Sequence, residues 1–387
     1  MVRARTFRVA VLVDTSTGWG RRLVRGIGNY VRKQGTWYVW IMAGGQSPQV
    51  RLPTAWRGDG IIARVASHAY ARHVTQAGVP VVNVSAIQLK GVDLPRVATD
   101  VRAVGRLAAE HFLDRGFRHF GYVGPRQRSY VESHYQGYVR ALAEAGCQCT
   151  PYSPGPGAGV QAGWHARQKD LARWLKQLPR PVGVLTWATE LAQEVVDVCQ
   201  QAKLLVPEQV AVLAADDDEL LCEMSNPPLS GITLSSERIG YEAAALLERL
   251  MRGRRPPKAP ILIRATGVVA RQSTDTLAVD DPDLARAIAF IRDHAAEPIQ
   301  VKDVLRAVPV SRRRLERRFR DVLRRTPAAE IRRVHLERAK RLLAETDMAV
   351  PDVAAASGFG SREYLACVFK SETGLSPNKY RRRARAR

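Results

Sequence analysis

Eight arginines occupy the fifteen positions of the stretch SRRRLERRFRDVLRR, residues 311–325. Leu315, Phe319, Val322 and Leu323 lie between them at the spacing of one buried helical stripe, and Ser311 stands where a helix N-cap belongs. Guanidinium groups on the opposite face can bind phosphate oxygens or pair bidentately with a guanine edge. The stretch therefore predicts a helix that contacts a polyanion, with a solvated basic surface as the alternative.

The charge of the whole chain also favours a polyanionic partner. The 387 residues have a formal net charge of +23, and residues 284–387 contain 25 lysines and arginines against 12 acidic residues. Such a basic excess is typical of proteins that bind nucleic acid or an anionic membrane surface. Because no apolar stretch approaches the roughly 20 residues that span a bilayer, and no signal-peptide cleavage site follows the first strand, we predict a soluble cytoplasmic protein.

Two similar halves lie near the C-terminal end, in residues 301–327 and 350–377. Each has a short helix with an apolar face, a tight turn, a serine cap and a second helix, which predicts a helix-turn-helix unit. Residues 327–346, between them, predict one amphipathic helix about 30 Å long, close to the roughly 34 Å between successive major grooves. Two recognition helices held at that separation can lie in adjacent grooves on one face of double-stranded DNA.

The outward faces of the two recognition helices provide the candidate DNA contacts. These faces lie opposite the buried stripes, so their side chains are free to reach a groove. The predicted DNA-binding residues are Arg312, Arg313, Glu316, Arg317, Arg320, Arg362 and Glu363.

The elements before residue 270 alternate between strand and helix. Val- and Ile-rich segments such as FRVAVLVD (7–14) and VAVLAAD (210–216) are each followed by a helical or loop segment, the first by a helix from about Arg21. This alternation predicts parallel sheets covered on both faces. The proline- and glycine-rich segment 147–159 predicts a long surface loop. The polar segment 275–283 marks the boundary with the helical C-terminal part.

Candidate ligand-binding residues follow the predicted strands, because ligands of open parallel sheets bind beyond the carboxyl ends of the strands. Carboxylates and guanidinium groups suit paired sugar hydroxyls, and an aromatic ring suits the C–H face. Each residue also has a structural alternative, namely core packing for Trp187, helix capping for Asp14 and Asp216, and a surface position for His134. The predicted ligand-binding residues are Asp14, Trp19, Arg21, His134, Trp187, Thr189, Asp216 and Asp217.

The sequence gives little support for catalysis, a cofactor or a metal. Gly18 and Gly20 form a partial dinucleotide fingerprint, but Leu23 replaces its third glycine and no acidic residue occurs between Asp14 and Asp59. The acidic run 216–218 could hold Mg²⁺ or act as an acid/base pair, yet neither a phosphate-binding glycine loop nor a nucleophile motif accompanies it. The five cysteines include only a lone C-x-C. We predict no enzyme activity, no cofactor and no metal.

The segment VAAASGFGSREYLACVFKSETGLSPNKYRR, residues 353–382, resembles the signature of AraC/XylS-family transcription regulators. The matching positions are Gly358, Phe359, Phe369, Lys370, Gly374, Pro377, Tyr380 and Arg381. The resemblance implies that Arg313 and Arg317 in the first recognition helix, and Arg362 and Glu363 in the second, occupy base-contacting positions. Position 367 is Cys, whereas a polar or basic residue there would be better suited to contact DNA.

Residues 97–124 and 206–233 resemble the LacI/periplasmic-binding-protein sensor fold. Among AraC-type proteins, this combination is similar to the XylR-like regulators of xylose operons. The resemblance implies two α/β lobes that close over a small effector, a homodimer, contact with RNA polymerase and activation of an operon for a pentose such as xylose. Sensors of this family usually carry an arginine where His134 stands, an Asp near Thr189 and an Arg or Asn where Leu191 stands, and these groups are absent.

We therefore predict a periplasmic-binding-protein-like α/β sensor over residues 1–273, a linker over 274–283 and an all-α DNA-binding domain with two helix-turn-helix units over 284–387. The predicted function is a sequence-specific transcription regulator, an activator of a sugar-utilisation operon that responds to a small ligand. The alternatives are a regulator whose sensor binds a non-sugar ligand or none, and an α/β enzyme with a DNA-binding tail.

Overall fold

The computed structural model describes residues 6–34, 37–42, 52–53, 56–154, 163–276, 281–323 and 325–385. The chain divides into two units, of which the first comprises Met1–Leu113 and Arg118–Thr276 and the second comprises Asp114–Phe117 and Leu277–Arg387. Within the described ranges, no helix combines the length and the apolar character that crossing a membrane requires. Residues 277–280 of the predicted linker lie outside the described residues, and the predicted domain boundaries stay a prediction.

The first unit contains two main parallel sheets in its described part. One has the strand order β2-β1-β3-β4 and the other the order β12-β10-β9-β8-β6-β7, in which only β12 is antiparallel to its neighbour. A short pair joins β5 to β11. The strands are β1 Phe7–Leu12, β2 Trp37–Ile41, β3 Gly60–Ala63, β4 Val81–Asn83, β5 Val97–Thr99, β6 His119–Val123, β7 Cys149–Pro151, β8 Val182–Thr186, β9 Val210–Ala214, β10 Ser230–Thr233, β11 Ile261–Ile263 and β12 Gly267–Val269.

Helices cover both sheets, as the alternating pattern predicts. Each sheet has its own hydrophobic core of Val, Ile, Leu and Ala side chains, so the unit consists of two lobes. The helices are α1 Gly18–Gln34, α2 His68–Thr75, α3 Val101–Leu113, α4 Ser129–Glu144, α5 Trp164–Gln177, α6 Thr189–Gln201, α7 Glu219–Met224 and α8 Ser236–Met251.

Helices α3 and α4 cross with their backbones in contact, and this crossing fixes the position of His134. A Cβ added at Gly105 of α3 would lie 2.2 Å from the His134 carbonyl oxygen of α4. Only glycine permits this approach, because any side chain would push the helices apart. The crossing therefore holds the His134 ring over the end of the second sheet.

The second unit is helical apart from its turns. Its helices are α9 Pro282–Asp293, α10 Val301–Ala307, α11 Arg312–Leu323, α12 Pro327–Glu345, α13 Val350–Ala356, α14 Arg362–Thr373 and α15 Pro377–Arg385. Helix α12 begins with proline at its first position and Thr326 caps it, since the Thr326 hydroxyl accepts from the Ala329 N–H at 3.2 Å.

Helix α12 contributes to two separate hydrophobic cores. Ile331 and Val334 pack with α9, α10 and α11 in the first core. Leu336, Ala339 and Leu343 pack with α13 and α14 in the second core. One continuous helix therefore connects both helix-turn-helix units, as the sequence predicts.

The structure corrects three local predictions. The loop predicted over 147–159 contains an edge strand, Cys149–Pro151, which pairs with the open edge of β6, and residues 155–159 of that loop lie outside the described part. Helix α1 begins at Gly18 rather than near Arg21. In the predicted stripe of α11, Leu323 is 6% exposed as expected, but Val322 is only half-buried.

A buried carboxylate anchors the start of α12. Glu330 is fully buried and lies 2.7 Å from the Arg325 Nε atom and 2.6 Å from the Arg333 Nη2 atom. Both arginines are only partly exposed. A buried charge of this kind depends on its partners, because an unpaired charge loses its hydration without compensation.

We expect Glu330→Gln to lower the free energy of unfolding of the helical unit by about 2–3 kcal/mol, because two arginines then lose their charged partner. Far-UV circular dichroism in urea would follow the helices of both units, so the helical unit gives the part of the transition that a probe of the sensor alone does not follow. Because all seven tryptophans lie at or before residue 187, their fluorescence would report on the sensor separately. The control Glu337→Gln removes only the exposed pair with Lys340 and should cost less than about 0.5 kcal/mol. Equal losses in both variants would contradict a structural role for Glu330.

Candidate DNA-binding surface and ligand cleft

The two recognition helices, α11 and α14, have the same burial pattern at positions 50 residues apart. Leu315 and Phe319 are fully buried in α11, and Leu365 and Phe369 are fully buried in α14. The Ser311 and Ser361 hydroxyls each accept a hydrogen bond from the backbone N–H three residues later, at 3.3 and 3.1 Å. The two helix-turn-helix units therefore form an internal structural repeat with matching outward faces.

The outward face of α11 is densely basic. Arg312, Arg313, Arg317 and Arg320 are exposed, and Glu316 is half-buried among them. Glu316 lies 3.0 Å from the Arg312 Nε atom and 3.6 Å from the Arg320 Nη2 atom. These contacts orient two of the arginines while leaving their remaining N–H groups available to a polyanion.

Not every arginine of α11 faces outward. Arg318 turns toward the start of α9 and lies 2.7 Å from the Asp281 Oδ2 atom and 2.9 Å from the Asp283 Oδ2 atom. The hydrogen bond from Arg318 holds the pKa of Asp283 below its usual range. Arg318 therefore fastens α11 to α9, whereas its neighbour Arg317 is exposed.

The outward face of α14 is chemically different. Arg362 and Glu363 are exposed and lie 3.6 Å apart, and Cys367 is exposed one turn later. Tyr364, which sequence reasoning missed, is 48% exposed and rests edge-on against Phe359. All seven predicted DNA-binding residues thus lie on the partly or fully exposed faces of α11 and α14, and their contact with DNA stays a prediction.

The strand ends of the second sheet bring Thr189 and Asp216 together. The Thr189 backbone N–H and hydroxyl donate to one Asp216 carboxylate oxygen, at 2.8 and 2.7 Å. Burial raises the pKa of Asp216 to about 6, against the lowering effect of these hydrogen bonds. Asp216 therefore positions the start of α6, which agrees with the capping alternative rather than a free ligand group.

The other two acids of the run 216–218 have different partners. Asp217 pairs with Arg271, whose Nη1 atom lies 2.8 Å from the Asp217 Oδ1 atom. The Asp218 carboxylate accepts from the Gly18 N–H at 2.9 Å, at the first residue of α1. A Cβ at Gly18 would lie 2.8 Å from the Asp218 Oδ2 atom, so glycine allows this contact. The acid of one lobe therefore binds the helix N-terminus of the other lobe.

A second contact joins the two lobes at the same place. Arg22 of α1 donates from Nη2 to the Asp217 carbonyl oxygen at 2.8 Å. Sequence reasoning missed Arg22 and Asp218 as residues that join the two lobes. The run of three acids signals only that the β9–α7 connection is charged, because the partners lie far away along the chain.

The three candidates on the β1–α1 connection have local partners. The Asp14 carboxylate accepts from the Ser16 backbone N–H and hydroxyl at 2.8 and 2.7 Å. Trp19 is half-buried beneath the Arg64 guanidinium group, and Arg21 donates to two loop carbonyl oxygens. Only Trp19 therefore offers a ring surface, while Asp14 and Arg21 stabilise the loop.

His134 and Trp187 lie together. The His134 ring is fully buried, its centroid lies 5.3 Å from that of Trp187, and its Nδ1 atom lies 2.9 Å from the Tyr122 hydroxyl. Burial lowers the pKa of His134 to about 3, so the imidazole is neutral at physiological pH. Its Nε2 atom has no hydrogen-bond partner within the described part of the chain. This orphan atom could accept a hydrogen bond from a neutral ligand, or donate one to it, only after the side chains that bury the ring move.

Among the described residues, no group of three or more His, Cys, Asp or Glu side chains has an arrangement that could hold a metal ion. The three neighbouring acids of residues 216–218 bind Thr189, Arg271 and Gly18 instead. These three carboxylates therefore stabilise the fold through contacts within the chain.

Three protein-family models match the chain. A XylR N-terminal domain matches residues 8–102, a periplasmic binding protein-like domain matches residues 109–274, and a helix-turn-helix domain matches residues 304–383. The predicted combination of a periplasmic-binding-protein-like α/β domain with an AraC-type helix-turn-helix domain is confirmed.

Curated relatives match almost the whole chain. The xylose operon regulatory protein of Escherichia coli (strain K12) is 29% identical over 384 residues, covering 97% of this chain and 96% of the relative. The protein of the same name from Haemophilus influenzae is 28% identical and covers 97% of this chain and 98% of the relative. The prediction of a regulator rather than an enzyme is confirmed.

Solved structures agree with these relatives. The structure of the xylose-binding transcription activator xylR has a TM-score of 0.65 at 28% identity and covers 98% of this chain and 99% of that chain. A LacI family regulator from Mycobacterium smegmatis has a TM-score of 0.55 at 18% identity, covering 70% of this chain and 99% of that chain, and shows the sensor fold alone.

We expect Asp216→Asn to change how stability depends on pH. The folded-state pKa of about 6 exceeds the unfolded value near 4, so the folded protein binds more protons between these values. The stability of the unmodified protein should therefore fall, relative to Asp216→Asn, by roughly 2–3 kcal/mol as pH rises from about 4 to 6, and then stay constant. Tryptophan fluorescence in urea measures this, and the exposed Asp197→Asn provides the control. A constant difference across the pH range would be inconsistent with a raised pKa of Asp216 in the folded protein.

We expect Arg317→Ala to weaken binding to a selected cognate duplex by about 1–3 kcal/mol, with little loss on random duplex, because a bidentate contact to guanine is lost. Fluorescence anisotropy with the full-length protein measures both affinities. Arg286→Ala, which removes an exposed arginine of α9, controls for the change in charge. Equal losses on both duplexes would assign Arg317 to a phosphate instead.

Proposed function

We propose that the chain, which is similar to xylose operon regulators, is a DNA-binding transcription regulator that activates an operon for a pentose such as xylose when that sugar binds between the lobes of the sensor. The proposal depends on the pair of recognition helices, α11 and α14, which have matching exposed faces. The chain that contains them is similar over nearly its whole length to xylose operon regulatory proteins. We further propose that it acts as a cytoplasmic homodimer that contacts RNA polymerase.

The spacing of the recognition helices supports binding to adjacent grooves. Helix α12 has 19 residues and therefore spans about 28 Å, slightly less than one turn of DNA. Because α12 packs into the cores of both helix-turn-helix units, it sets their separation. In the proposal, α11 and α14 enter successive major grooves on one face, and the exposed arginines of α11 supply much of the salt-dependent affinity.

The chemistry of the cleft supports a neutral ligand. The acids Asp216 and Asp217 already have protein partners, and His134 is uncharged. A sugar hydroxyl suits the orphan Nε2 atom of His134, and the neighbouring ring of Trp187 suits a C–H face. In the proposal these two residues recognise the sugar.

The contacts between the lobes suggest how binding is transmitted. The hydrogen bonds from Gly18 to Asp218 and from Arg22 to the Asp217 carbonyl oxygen join the two lobes directly. A ligand that binds the joined lobes more tightly than the separated lobes shifts the population toward the joined form. In the proposal this shift changes how the DNA-binding domains of a dimer are spaced.

One observation favours a second candidate, a regulator with a non-sugar effector. The polar groups expected of a sugar sensor at His134 and Leu191 are absent, and Asp14, Asp216 and Asp217 are engaged by their own chain. A sugar then has fewer free hydrogen-bonding groups in the cleft. Binding of a panel of pentoses separates the two candidates.

We expect one pentose of a panel that includes xylose to raise the thermal midpoint of the full-length protein and to alter its DNA footprint. At a concentration 100 times its Kd, a ligand stabilises the folded state by about 2.7 kcal/mol. The footprint should cover two adjacent major grooves on one face for each subunit. His134→Phe should abolish the thermal response while leaving basal DNA binding intact.

If no pentose changes either the midpoint or the footprint, while the footprint itself is present, the sugar-sensing part of the proposal is wrong and the non-sugar candidate stands. If no footprint forms in low salt, the regulator proposal is wrong as well.

A further inference from the structure

We propose that the two recognition helices select opposite chemical features in the major groove: α11 selects guanine through Arg313 and Arg317, and α14 selects cytosine through Glu363. This inference rests on the proposed function, because it concerns how the same DNA-binding surface reads sequence. It assigns a different base preference to each half of the binding site.

The internal repeat makes the comparison direct. Because α11 and α14 share one burial pattern at positions 50 residues apart, residues at matching positions face DNA in the same way. Arg313 corresponds to Glu363, and Arg317 corresponds to Cys367. These positions lie opposite the buried leucine and phenylalanine of each helix, on the face that enters the groove.

The hydrogen-bonding chemistry of the matching residues is opposite. Arginine only donates hydrogen bonds, and an ionised glutamate only accepts them. Guanine presents two acceptors in the major groove, whereas cytosine presents the N4 amino donor. Arg313 and Arg317 therefore suit guanine, and Glu363 suits cytosine.

The position of Glu363 also favours a role in recognising a base over a role in non-specific attraction to DNA. Its side chain is 77% exposed, and Arg362 lies 3.6 Å away, so it contributes little to packing. A carboxylate at this surface repels DNA phosphates and lowers non-specific affinity. It discriminates between bases because it meets an acceptor unfavourably and the cytosine amino group favourably.

The test is selection from a randomised duplex pool with the full-length protein, its Glu363→Gln variant and the control Glu372→Gln. Gln suits adenine through its donor and acceptor, so Glu363→Gln should change the preferred base at one position from cytosine to adenine, with about a tenfold change in the affinity ratio. Glu372 is exposed on the same helix and its substitution changes net charge equally, so its variant should select the same sequence as the unmodified protein. Arg313→Gln should relax a guanine preference about 10 base pairs away.

An unchanged preference in Glu363→Gln, with the unmodified protein still enriching a sequence, would overturn this inference and leave the proposed function intact. A pool from which the unmodified protein enriches no sequence would overturn both. Circular dichroism and thermal midpoints equal to those of the unmodified protein would establish that the exposed substitutions leave the fold intact.

Discussion

The packing of one helix into two hydrophobic cores is the constraint on which the DNA-binding surface depends. Ile331 and Val334 belong to the core beneath α11, and Ala339 and Leu343 belong to the core beneath α14. Because a single α-helix bends little over about 28 Å, the two recognition helices cannot change their separation independently of α12. The buried Glu330 strengthens the same constraint, since it fixes the turn where α12 begins. In the proposal, this rigid spacing makes two separate groove contacts act as one binding site.

The arginines of the helical unit divide into two groups according to what their helix face meets. Arg318 and Arg325 are held by carboxylates and stabilise the fold, whereas Arg313 and Arg317 are exposed on the outward face. The first group neutralises acids within the helical unit, and in the proposal the second group contacts phosphates and bases. A high density of arginine therefore serves stability and recognition at once, without placing all of the positive charge on the surface.

Periodicity in the sequence was enough to predict the two helix-turn-helix units, the connecting helix and the parallel sheets, because these depend on which face of each element is apolar. It was not enough for the cleft. Asp216, Asp217 and Asp218 are identical neighbours, yet their partners are Thr189, Arg271 and Gly18, which lie 27, 54 and 200 residues away. Such pairings arise only when the sheets fold. His134 illustrates the same limit, because a helical pattern does not reveal that the Gly105 crossing buries its ring completely.

The contact between the lobes has a consequence for the strength of any effector response. The Asp218 carboxylate at the N-terminus of α1 and the Arg22 hydrogen bond stabilise the joined lobes with the protein's own groups. An effector shifts the equilibrium only by the difference between its affinities for the joined and separated lobes. When the chain itself stabilises the joined form, the effector needs a smaller difference between its affinities for the two forms. The joined fraction in the absence of effector is then larger as well. In the proposed sensor, sensitivity to an effector and a low joined fraction without effector are therefore opposed.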